Sequence, residues 1–480
     1  MNLVANPSDG GAGKAMTSTR KYDAIIIGAG QAGVPLARSL AQAGWQTALV
    51  EREHVGGTCY NEGCTPTKTM IASARVAYLS RRAADYGVAT GAVSVDMAAV
   101  RQRKRDLVAS WRAGSERRLR ETNNLDLLTA EARFVGPHEL EVLQSGKDRR
   151  VIEAERVFIN SGARPSIPDL PGLSQVPFFT STTIMELDRV PEHLLILGGG
   201  YIAVEFGQMF RRFGSEVTVV QRRDSLLPRE DTDVAEAIAT ILNEDGIELV
   251  LGSDARSVAA GSDGEVSLEV VTSSGVHTLT ASHLLVATGR IPNTEALDLA
   301  AAGLEVGRGG YIPVNERLET NVSGIYALGD VKGGPAFTHI SYDDYRIIRT
   351  NLLEKGDATI TGRLVPYTVF TDPQLGRVGL TEREAQEKGL DVRVLTLPMN
   401  YVARALEVDE SRGFMKAVVE RTTDRIVGFA VLGIDGGEIM AVVEVAMMGG
   451  VTASTLKDAV FAHPTLAESL NNLFAGEGSR

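Results

Sequence analysis

The residues best able to do chemistry are Cys59 and Cys64, the only two cysteines in a chain of 480 residues. They lie five positions apart in the segment GGTCYNEGCTPTK, residues 56–68. On an ideal helix, residues with this spacing have Cα atoms about 8.7 Å apart, whereas a disulfide spans roughly 4.4 to 6.8 Å. The segment must therefore bend if the two sulfurs bond. Because Pro66 suits the first turn of a helix, we expect a regular helix to begin near Cys64.

A cysteine at a helix start has a lowered thiol pKa, because the helix dipole favours the thiolate, which is the reactive form. Three interpretations of the pair are open: a metal site, two unpaired structural thiols, or a redox-active dithiol. A metal site has only His54 as a further local ligand, whereas a structural zinc needs four ligands. The dithiol interpretation is favoured because the pair lies one loop away from a predicted nucleotide-binding turn.

That turn is the first of two glycine-rich segments that predict dinucleotide binding. Residues 28–33 (GAGQAG) follow the apolar run at 22–27 and precede a helical stretch that extends to Ala43. Gly28, Gly30 and Gly33 permit a tight turn and a close approach of a pyrophosphate to the helix start. Glu51 ends the next predicted strand, at the spacing where a carboxylate meets the ribose hydroxyls.

The second segment, residues 198–203 (GGGYIA), follows the apolar run HLLIL at 193–197. An acidic residue after the next strand would accept the ribose 2′-hydroxyl of NAD, but this position holds Gln221, followed by Arg222 and Arg223. Guanidinium groups suit a 2′-phosphate, so we expect NADPH rather than NADH. The alternative is that both arginines are solvated surface charges. The expected contacts of this turn are Gly198, Gly200, Tyr201 and Ile202.

Two dinucleotide sites in one chain indicate a flavin relay rather than a simple dehydrogenase. Residues 320–330 (TNVSGIYALGD) are predicted to form a strand that ends at Asp330, where a carboxylate can accept a hydrogen bond from a ligand hydroxyl. From about Leu364 the sequence becomes β-rich, and two helical stretches, at 436–450 and 455–474, follow. The apolar segment 442–448 (VVEVAMM) is either core or a subunit interface.

Composition excludes several function classes. Hydrophobic residues make up 44% of the chain and charged residues 23%, which is typical of a globular protein. The net charge of −12 provides no basic surface for nucleic acid or an anionic membrane, so we expect neither partner. No apolar run reaches the roughly 20 residues of a spanning helix, and residues 1–20 lack a signal-peptide pattern. We expect a cytoplasmic protein with a disordered extension over residues 1–20.

The cysteine segment and the strings GAGQAG, GGGYIAVE, ATGR, GIYALGD and HPTLAE together resemble the flavoprotein disulfide reductases, which include glutathione reductase, lipoamide dehydrogenase and mercuric reductase. The resemblance implies an α/β fold with two Rossmann-type FAD- and NAD(P)-binding domains and a C-terminal α+β dimerisation domain. The expected limits are 21–165 for the first part of the FAD-binding domain, 166–289 for the NAD(P)-binding domain, 290–355 for the second, central part, and 356–480 for the interface domain.

The resemblance also implies roles for single residues. It makes Cys59 the interchange thiol and Cys64 the thiol against the flavin. Lys68 and Glu205 match the pair near flavin N5, and Asp330 matches the acid on the ribityl chain. The acid–base couple supplied by the opposite subunit of a homodimer would be His463 and Glu468. A histidine oriented by a carboxylate suits this proton transfer, and a lysine suits charge on a reduced flavin.

The same motifs extend the predicted cofactor contacts for FAD and NADPH. With the residues of the two turns, they include Gly57, Thr58, Lys68, Glu205 and Gly289. No residue is expected to hold a resident metal.

Departures from the family pattern bear on the substrate. Residues 471–480 contain no cysteine pair of the kind with which full-length mercuric reductases end, and those enzymes tend to lack the His–Glu couple. Lipoamide dehydrogenases have an acidic residue at the position that Gln221 occupies in this chain, and a histidine at the position of Phe461. Overall, residues 337–353, 366–385 and 461–474 most resemble the mercuric-reductase-like branch that includes copper(II) reductases.

We therefore expect electrons to pass from NAD(P)H through FAD and the Cys59–Cys64 disulfide to a small disulfide or another small oxidant. One alternative is a metal-ion reductase acting on Cu(II) or Hg(II). Another is a lipoamide dehydrogenase-type component or a redox-sensing flavoprotein.

Overall fold

The computed structural model describes residues 19–144, 148–261 and 264–476. The disordered extension expected over residues 1–20 lies outside these ranges except for its last two residues, and Arg20 is already the first residue of a strand. The described chain forms two units built on parallel strands, the first of which also carries two antiparallel strands, followed by an antiparallel sheet with helices. This confirms the predicted α/β class with a C-terminal α+β domain. The limits given above for the individual domains stay a prediction.

The first sheet is built around a buried central strand, β1. Its members are β1 (Arg20–Ile27), β2 (Thr47–Glu51), β3 (Leu125–Thr129), β4 (Glu131–Gly136), β5 (Glu139–Gln144), β6 (Asp148–Ile159) and β16 (Ile325–Ala327). The strand order is β3-β2-β1-β6-β5-β4, and β16 pairs with β6 in parallel. Ala24, Ile25 and Ile26 are fully buried, because layers of structure cover both faces of a central parallel strand.

Five helices accompany this sheet, and two of them carry the cysteines. They are α1 (Gly33–Gln42), α2 (Gly57–Asn61), α3 (Cys64–Arg81), α4 (Met97–Arg120) and α7 (Thr338–Leu353). The prediction that a regular helix begins near Cys64 is confirmed. Gly63 precedes it with φ −126° and ψ −112°, a non-helical conformation that separates α2 from α3. Cys59 therefore lies on one helix and Cys64 on the next.

The second unit repeats the parallel arrangement around the second glycine-rich turn. Its strands are β8 (His193–Leu197), β9 (Glu216–Val220), β10 (Glu248–Val250) and β14 (His283–Val286), in the order β10-β9-β8-β14. Its helices are α5 (Tyr201–Phe213) and α6 (Thr232–Glu244). An antiparallel sheet is formed by β11 (Asp254–Ala260), β12 (Val266–Thr272) and β13 (Gly275–Ala281). The short strands β7 (Ala163–Pro165) and β15 (Arg290–Pro292) pair with each other between the two units.

The C-terminal sheet is antiparallel, with the order β17-β18-β21-β20-β19. Its strands are β17 (Tyr367–Val369), β18 (Gln374–Gly379), β19 (Val392–Pro398), β20 (Phe414–Glu420) and β21 (Ile426–Gly433). Its helices are α8 (Glu382–Glu387), α9 (Ala403–Glu407), α10 (Gly436–Met448), α11 (Ala453–Lys457) and α12 (Ser469–Ala475). The single helical stretch expected over 455–474 was wrong. Pro464 lacks an N–H and disfavours helical backbone before it, so residues 458–468 are not α-helical.

Short 3₁₀ turns complete the described chain. They are Ala83–Tyr86, Leu173–Gln175, Ile184–Glu186, Glu295–Leu297, Leu299–Ala302, Arg308–Gly310, Gly329–Lys332 and Met399–Tyr401.

Buried ion pairs fasten the C-terminal sheet to the second unit. Arg212 of α5 contacts Asp372 at 2.5 Å, and Arg377 of β18 contacts Glu230 at 2.7 Å. All four side chains are at least nine-tenths buried, so the loss of one partner would leave an uncompensated charge away from water. The Arg212–Asp372 pair fixes the loop after β17 against α5, which carries Glu205.

Helix α10 contains the apolar segment 442–448, for which the sequence left core and subunit interface as alternatives. Met440 and Val443 are buried against the C-terminal sheet, whereas Val445 is 67% exposed and Met448 is 71% exposed. One face of the helix is therefore core, and the other presents apolar side chains beyond the single chain, as a subunit interface does.

Candidate active site

A cavity of about 1470 Å³ lies where the three units meet, and it gathers most of the residues predicted to act. The predicted residues that line it are Gly28, Gly30, Glu51, Gly57, Thr58, Cys59, Cys64, Lys68, Tyr201, Ile202, Glu205 and Asp330. Within the described ranges, the predicted residues that do not line it are Gly33, Gly198, Gly200, Arg222, Arg223, Gly289, His463 and Glu468.

The cysteine pair lies on the wall of this cavity as two free thiols. The two side chains are in hydrogen-bond contact, although they belong to different helices. The bend that a Cys59–Cys64 bond requires is present, because Glu62 and Gly63 interrupt the helical backbone between them. The local backbone thus permits both the dithiol and the disulfide.

The two thiols have opposite acidities. A hydrogen bond from Cys59, with smaller contributions from Thr338 and the positive charge of Lys68, lowers the pKa of Cys64 to about 6 and outweighs the opposing effect of desolvation. The same thiol–thiol hydrogen bond, together with burial, raises the pKa of Cys59. The hydroxyl of Thr338 lies 3.3 Å from Cys64 Sγ. Cys64 is therefore the thiolate of the reduced pair near neutral pH, and Cys59 keeps its proton.

The first glycine-rich turn has no space for side chains. Gly28 has φ +101°, and a Cβ there would lie 2.3 Å from the carbonyl oxygen of Asn160. A Cβ on Gly33 would lie 2.1 Å from the carbonyl oxygen of Gly28, and one on Gly57 would lie 2.7 Å from Gly30 Cα. Backbone atoms on all sides thus define a cradle in which a pyrophosphate can meet N–H groups directly.

Two carboxylates occupy the positions predicted for contacts to FAD. Glu51 accepts a hydrogen bond of 2.8 Å from the backbone N–H of Ala29, inside the first turn. Asp330 lies on the cavity wall, shortly after the end of β16. The Nε of Arg290 is 4.0 Å from its carboxylate. Burial raises the pKa of Asp330. The closed cradle and these two acceptors fit the diphosphate and hydroxyl groups of FAD.

The second glycine-rich turn has the same steric character. Gly198 has φ +121°, and a Cβ there would lie 2.4 Å from the carbonyl oxygen of Ala287, whereas Gly200 has open space. Ala203, in the third position of the motif, is fully buried, which explains why a small residue suffices there. Tyr201 is the first residue of α5, and desolvation at the cavity wall raises its pKa.

Of the three residues after β9, one lies against the second glycine-rich turn and two are exposed. The Gln221 side chain lies against the second turn, where a Cβ on Gly199 would approach it to 2.8 Å, and it donates a hydrogen bond of 3.3 Å to the carbonyl of Ser225. Arg222 and Arg223 are exposed, with no ion pair to any residue of the described chain. Both guanidinium groups are thus available to a ligand at the carboxyl end of β9.

Lys68 and Glu205 form an ion pair at the cavity wall, with Nζ 2.8 Å from Oε2. Glu205 is only 4% exposed, and its other oxygen accepts a hydrogen bond of 2.8 Å from the backbone N–H of Phe370. Lys68 Nζ also lies 4.7 Å from the centre of the Phe370 ring. The pair predicted from separate motifs is therefore brought together by α3, α5 and the loop after β17.

His463 and Glu468 also contact each other. His463 Nδ1 lies 2.8 Å from Glu468 Oε2 and 3.1 Å from Oε1. The histidine side chain is 68% exposed, and within the described chain neither residue lines the cavity that holds the cysteines. The couple is formed, but one chain alone does not bring it to the thiols.

Sequence reasoning missed several residues of the site. The Asn160 amide donates a hydrogen bond of 3.2 Å to the carbonyl of Gly28, and its place at the end of β6 was an available signal. The Phe337 ring stacks on His339 and Tyr367, with ring centres 5.3 Å and 5.4 Å apart. Thr338 follows Phe337 directly. No local pattern marks the Phe337–Tyr367 stack or Thr338, because in each case the contacting residues are distant in the chain.

Comparison with protein-family models shows which family the chain belongs to. Residues 22–344 match the family model described as pyridine nucleotide-disulphide oxidoreductase. Residues 365–474 match the model for the dimerisation domain of pyridine nucleotide-disulphide oxidoreductases. The chain belongs to the pyridine nucleotide-disulphide oxidoreductase family.

Members of this family resemble the chain over almost its whole length. It is 40% identical over 459 residues to the probable pyridine nucleotide-disulfide oxidoreductase RclA of Escherichia coli (strain K12), covering 95% of this chain and 99% of that one. It is 36% identical over 449 residues to a mercuric reductase of Staphylococcus aureus, covering 94% of this chain and 81% of that one.

Solved structures agree with these matches. The HOCl-induced flavoprotein disulfide reductase RclA from Escherichia coli superimposes with a TM-score of 0.86 at 39% identity, over 95% of this chain and 99% of that one. A Cu(II) complex of RclA superimposes with a TM-score of 0.87 at the same identity and coverage.

Family membership confirms the predicted function class and fold. The protein is an NAD(P)H-dependent, FAD-containing oxidoreductase of the flavoprotein disulfide reductase type. The dimerisation-domain match, with the exposed apolar face of α10, supports a homodimer. Across the described ranges, no helix combines the length and apolarity required to cross a bilayer.

Proposed function

We propose that the reductase passes electrons from NADPH, through FAD, to the Cys59–Cys64 disulfide, and that the dithiol then reduces a small disulfide. One observation carries this proposal: Cys59 and Cys64 lie in contact on the wall of the cavity that the FAD cradle and the start of α5 also line. Bound FAD would supply the chemistry that converts a hydride donor into a two-electron reductant for a disulfide.

The proposed cycle has three steps. NADPH and one proton reduce the Cys59–Cys64 bond to two thiols and leave NADP⁺. Cys59 then gives up its proton and attacks one sulfur of a substrate RSSR. The S–S bond of the substrate breaks, a mixed disulfide with Cys59 forms, and the departing RS⁻ takes up a proton and leaves as RSH. Cys64 attacks the Cys59 sulfur, restores the internal disulfide and releases the second RSH. The lowered pKa of Cys64 supports its role as the attacking thiolate in this last step.

The acid–base couple belongs to the partner in this proposal. Each departing thiolate needs a proton, and a histidine whose Nδ1 is held by a carboxylate can deliver it from Nε2. The 68% exposure of His463 and its absence from the cavity of its own chain support delivery across the dimer interface.

NADPH is the proposed reductant because of the side chains that directly follow β9. Arg222 and Arg223 offer two exposed guanidinium groups where an adenosine 2′-phosphate would lie, and Gln221 replaces the acid that would favour NADH. The second turn and the residues Gly198, Gly200, Tyr201, Ile202 and Gly289 would hold the rest of this nucleotide.

A metal-ion reductase is the second candidate function. Relatives named mercuric reductase and the Cu(II) complex of RclA favour it, because thiols can both bind and reduce Hg(II) and Cu(II). In this version the dithiol is oxidised to the disulfide and releases two protons, and its two electrons reduce one Hg(II) to Hg(0) or two Cu(II) to two Cu(I). No leaving thiol then requires the His463–Glu468 couple.

Steady-state turnover separates the two candidates. NADPH oxidation by the FAD-loaded enzyme is measured with low-molecular-weight disulfides, Cu(II) and Hg(II), alongside Cys59→Ser, Cys64→Ser and His463→Ala. We expect disulfide turnover that each of the three substitutions abolishes or severely reduces. Turnover with metal salts alone, unaffected by His463→Ala, would replace the disulfide proposal with the metal one. Full disulfide turnover by Cys64→Ser would contradict the dithiol cycle.

A further inference from the structure

Thr338 is the first residue of α7, a helix of 16 residues that starts at the cavity wall. Its hydroxyl lies 3.3 Å from Cys64 Sγ, a hydrogen bond between residues 274 positions apart in the chain. Because a thiolate has no proton to donate, the hydroxyl is the donor whenever Cys64 is ionised. Such a bond to an ionised acceptor is stronger than one between neutral groups.

The other groups that act on Cys64 come from every element around it. Cys59 of α2 donates a hydrogen bond to the sulfur, and Lys68 on the same helix as Cys64 contributes a favourable charge. Glu205 of α5 opposes the thiolate, but it is paired with Lys68. Thr338 of α7 also acts on Cys59, so its hydroxyl faces both sulfurs.

These donors do not persist equally through the catalytic cycle. When Cys59 forms a mixed disulfide with the substrate, its sulfur loses its proton and can no longer donate a hydrogen bond. The largest contribution to the acidity of Cys64 is therefore lost at the moment when Cys64 must attack as a thiolate. The hydroxyl of Thr338 is retained in that state.

We propose that Thr338 is a positioning residue that holds Cys64 as an aimed thiolate while Cys59 is bonded to the substrate. The proposal rests on the dithiol cycle described above. In the step concerned, the Cys64 thiolate attacks the Cys59 sulfur, the Cys59–SR bond breaks, the internal disulfide forms, and RS⁻ leaves and takes a proton. Thr338 takes no part in bond making; it stabilises the charge on the nucleophile before the attack.

The test uses the full-length, FAD-loaded protein with Cys59→Ala, which imitates the loss of the Cys59 donor. The rate of Cys64 alkylation by iodoacetamide is measured against pH, because only the thiolate reacts. In this background, Thr338→Val should raise the pKa of Cys64 by about one unit, equivalent to a tenfold loss of thiolate at low pH. Thr338→Ser should keep the original profile. Thr350→Val, at the far end of the same helix, is the matched control and should change nothing.

A profile unchanged by Thr338→Val, or a Thr338→Ser profile as shifted as that of Thr338→Val, would overturn the proposal. If Thr338→Val fails to fold, Thr338→Ala serves as the hydroxyl-free variant with the same expected shift. With Cys59 present, the shift caused by Thr338→Val should be smaller, since the Cys59 donor remains. Alkylation needs neither substrate nor NADPH, so failure of the disulfide reductase proposal would appear separately, as absent turnover by the wild-type enzyme.

Discussion

Lys68 and Glu205 form an ion pair of 2.8 Å that joins α3, the helix of Cys64, to α5, the helix that starts the second nucleotide turn. The carboxylate is buried and also binds the backbone N–H of Phe370 from the C-terminal sheet. A single charged contact thus links all three units at the cavity wall. Its place between the cysteines and the start of α5 makes it sensitive to the charge that arrives with the hydride.

Glu205→Gln should slow the reduction of bound flavin by NADPH by at least about tenfold, because the neutral amide leaves the Lys68 ammonium without its buried counter-charge. Stopped-flow bleaching of the flavin absorbance measures this rate. The control is Glu216→Gln, an exposed glutamate on β9 that should leave the rate unchanged. An unchanged rate in Glu205→Gln would remove Glu205 from the proposed machinery.

The pH dependence of the reduced enzyme should follow Cys64. Its pKa is lowered to about 6, so the thiolate is present above that pH and is lost as the pH falls through it. Alkylation of Cys64 should therefore be half-maximal near pH 6 and fall about tenfold for each further unit of acidification. Cys64→Ser should abolish this transition, whereas a transition near the ordinary thiol pKa of 9.0 would contradict the assignment.

Arg222→Ala with Arg223→Ala should raise the KM for NADPH about tenfold or more and leave the KM for NADH nearly unchanged, because only NADPH carries the 2′-phosphate. Steady-state kinetics with both nucleotides measure the difference. Gln221→Glu should improve the use of NADH by restoring an acceptor for the 2′-hydroxyl. Arg189→Ala, an exposed arginine of the same unit, is the matched control. A native preference for NADH would contradict the NADPH proposal.

Two inactive chains should complement each other if the site spans the dimer. Homodimers of Cys59→Ser and of His463→Ala should each lose at least about a hundredfold in disulfide turnover. A heterodimer with one chain of each kind, purified through two different affinity tags, contains one site with both an intact Cys59 and a partner's intact histidine. It should recover about half of the wild-type turnover. No recovery would mean that the couple acts within its own chain.

Gly33→Ala should lower the FAD content and the melting temperature of the purified protein. A Cβ at Gly33 would lie 2.1 Å from the carbonyl oxygen of Gly28, so α1 must move away from the turn that cradles the pyrophosphate. Flavin absorbance per polypeptide and thermal unfolding measure both effects. Gly91→Ala is the matched control, because its Cβ would have open space. Full FAD content in Gly33→Ala would show that the turn tolerates the displacement.

The sequence predicted best where a function depends on neighbouring residues. The two glycine-rich turns lie between buried strands as expected, and α3 begins at Cys64, because the apolar runs, glycines and Pro66 act within a few positions of one another. It predicted less well at residues 455–474, where a helical pattern was given more weight than the proline that interrupts it.

Several features of the site were beyond sequence reasoning. The amide of Asn160 in the first turn, the stack of Phe337 on Tyr367, and the hydroxyl of Thr338 at Cys64 all join segments that are distant in the chain. The positions of such partners depend on how sheets and helices pack, and no spacing rule encodes that.

The sequence by itself determined the family, the two nucleotide turns, the cysteine pair and the arginines after β9, because each is a local pattern with a local physical cause. Only the tertiary structure decided which groups set the acidity of the two thiols, that the backbone N–H of Phe370 also binds the Glu205 carboxylate, and that the Thr338 hydroxyl lies at Cys64. The reason is that charge, burial and hydrogen bonding at a site arise from whichever elements converge there, and convergence is a property of the packed chain.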